Sequence, residues 1–146
     1  MRAPRSSTCL LCFCLLASGG RAAAPRAPEY VVIVNAANST SSVERKFLSD
    51  AFLKKTTRWS GGQAIRPVDQ SVDSAVRRRF SEEVLERSVT AVRSYWQQVI
   101  FSGRDVPPPE LSGDESVLEY IKNHAGAVGY VSGGASTAGA RVLSVR

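Results

Sequence analysis

Short unbroken apolar runs alternate along the chain with longer stretches whose apolar residues recur at helical spacing. "YVVIVN", Tyr30 to Asn35, is a β-branched run without polar alternation, the pattern of a strand buried on both faces at the centre of an α/β sheet. In "NSTSSVERKFLSDAFLKK" the residues Val43, Phe47, Leu48, Ala51 and Phe52 share one helical face. Ser41 and Glu44 have the spacing of a capping box, which predicts a helix starting near Ser42. Gly61 and Gly62 mark a turn, and "AIRPV" reads as a short strand. From Ser74 onward Val76, Phe80 and Val84 recur every fourth residue, with Leu85 beside them. Ser88 or Thr90 then caps a third helix with the stripe Val92, Tyr95, Trp96, Val99 and Ile100. Together these faces predict one core in which Val76, Phe80, Val84, Val99 and Ile100 meet the "YVVIV" strand.

Pro107, Pro108 and Pro109 cannot continue a helix, and Gly103 ends one, so "SGRDVPPPELSGD" is a loop. Ser112 and Glu115 form a second capping box ahead of the stripe Val117, Leu118 and Ile121, with Gly126 as the stop. "AVGYV" is the next strand, the Gly/Ser/Ala stretch from Ser132 to Ala140 reads as mobile or hairpin-like, and "RVLSV" closes as a last strand. This order predicts an α/β layer structure with a small mixed sheet flanked by about four helices.

The N-terminus changes the picture of where the protein works. Arg2 and Arg5 precede an apolar run from Thr8 to Ala17 and small residues from Gly19 to Ala24, the layout of a cleaved secretory signal peptide. The apolar run is about half of the ~20 residues that span a bilayer. The expected organisation is a signal peptide over 1–22, a linker over 23–29 and a single domain over 30–146. Cys9, Cys12 and Cys14, the three cysteines of the chain, all fall in the predicted signal. The exported domain then has no disulfide, no thiol nucleophile and no cysteine-ligated metal. Loss of Arg2, Arg5 and Arg21 leaves 16 Lys and Arg against 13 Asp and Glu, a balance of +3. That is too mild to signal nucleic-acid binding.

Two strand-to-helix turns carry candidate chemistry. In "VDQSVDSAVRRRF" a helix start is surrounded by Ser71, Asp73, Ser74 and Arg77. Unpaired N–H groups, hydroxyls and a guanidinium at one helix N-terminus suit an oxyanion. The same residues also suit plain capping, with Ser71, Asp73 or Ser74 accepting from the N–H groups of the first turn and Asp73 neutralising Arg77. Asp73 would repel a dianion yet could accept a proton from hydrogen phosphate. The second turn, "NAANSTSS", presents Asn38, Ser39 and Thr40 at the C-terminal edge of the first strand, where open α/β sheets bind ligands; it too has the composition of a capping loop. The "RRR" run is either a solvated face or a contact for an acidic partner. His124, the single histidine, sits near a helix C-terminus, which favours a cation. No second histidine supports a zinc site, and no nucleophile elbow supports a Ser-His-Asp triad. Tyr95 and Trp96 read as packing residues.

Read in order, "VVIVN", "FLKKTTRW", "PVDQSVDSAVRRRF", "YWQQVIFSGR", "PP" and "GAVGYV" resemble the phosphate-type periplasmic substrate-binding proteins, and more closely their short single-lobe relatives, over Tyr30 to Val131. The resemblance implies a single lobe of the type II periplasmic-binding-protein fold and export to the periplasm, and the residues themselves lead to the expectation of no enzymatic step, no cofactor and no metal. In full-length members it implies phosphate capture for an ABC importer. The family's Ser-Gly-Thr turn falls here on Ser74, Ala75 and Val76, so only Ser74 keeps its hydroxyl, and the family's arginine a few residues before the turn is replaced by Asp69 or Gln70. Half a site is what the resemblance leaves. The expected function is that of an exported phosphate- or oxyanion-binding-type domain, a substrate-binding or accessory component of phosphate ABC transport or sensing. Its expected partners are inorganic phosphate or a similar oxyanion and an ABC permease or envelope protein. The alternative is a ligand-free protein-interaction module of the cell envelope on the same fold.

Overall fold

The computed structural model describes residues 29–146; the expected signal peptide and the expected linker before Glu29 lie outside the described residues. Strand β1 (Tyr30–Asn35) lies inside a four-stranded sheet of order β3-β6-β1-β7, formed with β3 (Arg66–Pro67), β6 (Ala127–Ser132) and β7 (Ala140–Val142). It runs antiparallel to both neighbours, with Ile33 opposite Gly129 on one side and Val142 on the other, while β3 runs parallel to β6. The unbroken apolar run is explained by this position. Val32 and Val34 face one helical layer, Ile33 faces another, and all three are buried.

On the first face pack α1 (Arg45–Phe52), α2 (Ala75–Val84) and α3 (Val89–Phe101). They bring Leu48 and Phe52, Phe80 and Val84, and Val92, Trp96 and Val99 against Val32, Val34, Val128 and Tyr130. Its centre is aromatic: Phe80 stacks on Tyr130 at 3.9 Å between ring centroids and 11° between planes, and touches Phe52 at 4.7 Å and Tyr30 edge-on at 5.6 Å. The second face is covered by α4 (Gly113–Asn123), whose Val117 and Ile121 meet Ile33, Val68 and Val131. Gly129 lets that layer approach, since a Cβ there would lie 2.7 Å from Val68 Cγ1 and 3.0 Å from Val117 Cγ1. Two further pairs tie the edges: β2 (Ser42–Val43) with β8 (Ser144–Val145), and β4 (Asp69–Gln70) with β5 (Glu110–Leu111), both parallel. No helix among the described residues is long and apolar enough to cross a membrane.

The mixed α/β class, the small sheet and the four helices agree with the pattern of the sequence. Four local expectations need correction. The first helix begins at Arg45, because Ser42 and Val43 are drawn into a ladder with the C-terminal strand; Glu44 is its N-cap in extended conformation without a side-chain bond. Ile100 is 49 % exposed, since α3 buries Val92, Trp96 and Val99 and the next position turns outward. The segment from Ser132 to Ala140 is a turn leading to β7, and β7 pairs with β1 instead of closing a hairpin on β6. "RVLSV" breaks at buried Leu143, where the chain leaves β1 for β2. Ser88 and Ser74 cap α3 and α2 through their hydroxyls, whereas Ser112 caps α4 without one.

Phe80→Ala is expected to cost about 3 to 5 kcal/mol in denaturant melts, the range for emptying an aromatic core position, while Ile100→Ala stays within about 0.5 kcal/mol.

Candidate functional site

The start of α2 is built on β4. Asp69 and Gln70 are held in parallel register with Glu110 and Leu111, and Ser71 continues the pairing through its N–H to the Leu111 carbonyl at 3.1 Å. The chain then turns, Ser74 N–H donating to the Ser71 carbonyl at 2.9 Å, and α2 begins. Of the two roles open to these residues, the hydroxyl of Ser74 performs the capping one: it accepts from the Arg77 N–H at 3.3 Å and donates to Gln70 Oε1 at 2.8 Å. Ser71 is half-buried and Asp73 exposed. The N–H groups of Ala75 and Val76 have no acceptor among the described residues.

Arg77 reaches back beneath this turn and is 3 % exposed. Its Nη1 donates to the Gln70 carbonyl at 2.5 Å and to Glu110 Oε1 at 2.6 Å, and its Nη2 lies 3.3 Å from Asp69 Oδ2. Asp69 and Glu110, not Asp73, therefore balance the guanidinium. Asp69 in turn accepts from the Tyr130 hydroxyl and from the Gln70 N–H. The Gln70 side-chain amide donates to the Tyr130 carbonyl at 3.1 Å and to Asp114 Oδ1 at 2.9 Å, and Asp114 also accepts from the Ser132 N–H. Burial pushes the Asp69 carboxyl above the usual carboxylate range, outweighing the pull of Arg77 and Tyr130 in the other direction. Tyr130 is pushed up by burial and by the Asp69 charge. Asp114 feels burial first, but hydrogen bonds from Ser132 and Gln70 hold it below its ordinary value.

The second candidate stretch is elsewhere. Because β1 is antiparallel to β6, Asn35 lies by the start of β6, whereas β4 lies beside Tyr130 near its end. Asn38, Ser39 and Thr40 are thus at the opposite end of the sheet from Ser71, Asp73, Ser74 and Arg77, and no single small ligand touches both sets. Asn38 is 5 % exposed and shapes its own loop, its Oδ1 accepting from the Thr40 N–H at 2.8 Å and its carbonyl from Arg141 at 2.7 Å. Ser39 is exposed, and Thr40 lines a cleft of about 340 Å³ floored by Phe47 and Trp59. His124 stacks on Tyr120 with 4.0 Å between centroids. Among the described residues no group of three or more His, Cys, Asp or Glu is placed to hold a metal. Tyr95 and Trp96 pack as expected, the Tyr95 hydroxyl donating to the Leu53 carbonyl at 2.9 Å.

With this geometry in view, the chain can be compared with solved structures. It is similar to an ABC-type phosphate transport receptor from Vibrio cholerae, with TM-score 0.63 and 17% identity over 80% of this chain and 46% of the receptor. A protein from Clostridium perfringens solved with bound phosphate gives TM-score 0.64 at 16% identity over 80% and 44%. PstS from Borrelia burgdorferi gives 0.63 at 11% over 81% and 47%. The fold is one found within phosphate transport receptors. The chain spans a little under half the length of these receptors. No protein-family model matches the sequence, and no curated protein matches it.

The members that sequence inspection did not assign to the site are Glu110, Tyr130 and Asp114, and it gave Asp69 and Gln70 only as replacements for a family arginine. Because the Asp69 value is raised on folding, its contribution to stability is full below the unfolded value of about 3.9 and is lost as pH rises through the raised folded value. Asp69→Asn keeps an acceptor for Tyr130 and leaves Arg77 paired with Glu110. Urea melts across the acidic and neutral range are expected to show Asp69→Asn gaining on the wild type as pH rises above about 4; a difference independent of pH would contradict this assignment.

Proposed function

We propose that the chain is an exported, non-enzymatic domain of the phosphate-receptor type, working in the periplasm as a binding or accessory component of phosphate or oxyanion uptake or sensing beside an ABC permease. The observation that carries this reading is the start of α2. The N–H groups of Ala75 and Val76 have no acceptor among the described residues, and the permanent charge of Arg77 lies beneath the same turn. Free amides at a helix N-terminus and a nearby guanidinium are the chemistry that holds an oxyanion. The fold shared with a phosphate transport receptor and with a protein solved with bound phosphate supports it further.

Two carboxylates already stand against Arg77, so an arriving anion meets competition and the affinity is low. Calorimetric titration of the purified protein with phosphate and sulfate is expected to show saturable binding of phosphate near millimolar, about −4 kcal/mol, with sulfate the weaker. Absence of saturable heat with either anion at about ten times that concentration contradicts the reading.

A second reading, an envelope protein-interaction module without small ligand, is favoured by a separate observation. At the end of α3 and in the loop beyond it, Phe101 is 90 % exposed, Val106 61 % and Ile100 49 %, and exposed apolar residues gathered in one place mark interaction surfaces. A folded protein that ignores both anions is what this reading expects.

A further inference from the structure

We infer that Glu110 is an internal stand-in for the oxyanion, an autoinhibitory carboxylate whose side chain must swing off Arg77 before any anion reaches it. The inference rests on the oxyanion reading of the α2 start and adds how that site is closed. Arg77 has a side chain only 4 % exposed, so a ligand cannot meet its guanidinium unless some neighbour moves. Of the groups packed on it, the Gln70 carbonyl belongs to the β4 backbone, and Asp69 is fixed by Tyr130 and by the Gln70 N–H with its side chain 7 % exposed. The carbonyl cannot leave without dismantling β4, and the Asp69 carboxylate cannot turn away without giving up its bonds from Tyr130 and the Gln70 N–H. Glu110 differs. Its side chain is 43 % exposed, and its single hydrogen bond among the described residues is the one at 2.6 Å from Arg77 Nη1.

The backbone under Glu110 is held while its side chain is free to turn. Pro107 to Pro109 stiffen the approach, the Pro109 carbonyl accepts from the Asp69 N–H at 2.9 Å, and Glu110 and Leu111 are paired with β4. Rotation about the side-chain bonds of Glu110 therefore opens the guanidinium to water with no change of fold, on the rapid timescale of exposed rotamers. A carboxylate also matches the shape and charge that an oxyanion presents to arginine. The closed state is held by one half-exposed ion pair, and water readily solvates the released carboxylate.

The test uses the purified protein, the arginine-specific reagent phenylglyoxal and inorganic phosphate. Peptide mapping after mild treatment is expected to find Arg77 modified far more slowly than exposed Arg78 in the wild type. In Glu110→Gln, Arg77 modification rises at least tenfold relative to Arg78, and phosphate binds at least tenfold more tightly and protects Arg77. Glu110→Asp, which keeps the charge on a shorter arm, falls between, and circular dichroism checks that each variant is folded. Arg77 as unreactive in folded Glu110→Gln as in the wild type overturns the gate, even where phosphate binds both forms alike and the oxyanion reading stands. Arg77 freed in Glu110→Gln, with phosphate neither binding nor protecting, leaves the gate in place and overturns the oxyanion reading.

Discussion

A buried guanidinium is the constraint around which this domain is organised. Arg77 lies in the first turn of α2, 3 % exposed, and a charge in that position is tolerated only with close acceptors. Supplying them requires β4, β5 and α2 to be in register at once: a carbonyl and a carboxylate from β4, and a second carboxylate from β5. Asp69 extends the network to Tyr130 in β6, and the ring of Tyr130 stacks on Phe80, three residues beyond Arg77 on α2. Polar network and aromatic core are therefore two sides of the same residue. A shift of β4 by one position would take the acceptors from Arg77 and the carboxylate from the Tyr130 hydroxyl together.

This arrangement ties fold to function through what it leaves open. The turn at Ser74 is capped by its own hydroxyl, as many helices are, but the next two N–H groups remain without acceptors among the described residues. The cation beneath them is already neutralised from within. Two amides without acceptors above an internally neutralised cation are the feature on which the proposed oxyanion reading rests, in a chain that covers under half of the receptors sharing its fold.

How much of this was legible follows from the range of the interactions. The β1 strand and the stripes of α2 and α3 could be read because burial repeats locally, at Val32 to Val34 or at Phe80 and Val84. The start of α1 could not, since Ser42 and Val43 take their strand partners from Ser144 and Val145 at the other end of the chain. Ile100 failed for a geometric reason: a stripe read at both three- and four-residue spacing is wider than the face that α3 buries. At the α2 start, Arg77 and the capping Ser74 were visible because they are neighbours in sequence, whereas Asp73, read as the partner of Arg77, stays exposed. Glu110 and Tyr130, 33 residues from Arg77 and 61 from Asp69, carry no local signature, one following a proline run and the other inside a plain apolar strand. Within the run of three arginines the position of Arg77 at the edge of the apolar stripe marked it as the one that reaches back, and Arg79 stays outside, pairing with Glu29 and Glu83.

The most direct test of the organising role of Arg77 is a comparison of urea stability at neutral pH for Arg77→Met and for Arg77→Met combined with Asp69→Asn. If the buried charge is what Asp69 is placed to meet, Arg77→Met alone loses about 3 to 5 kcal/mol, because an uncompensated carboxylate is left inside. The double variant, with both charges gone and a similar shape retained, recovers a large part of that loss. Equal losses in the two variants, or a single variant as stable as the wild type, would contradict the account.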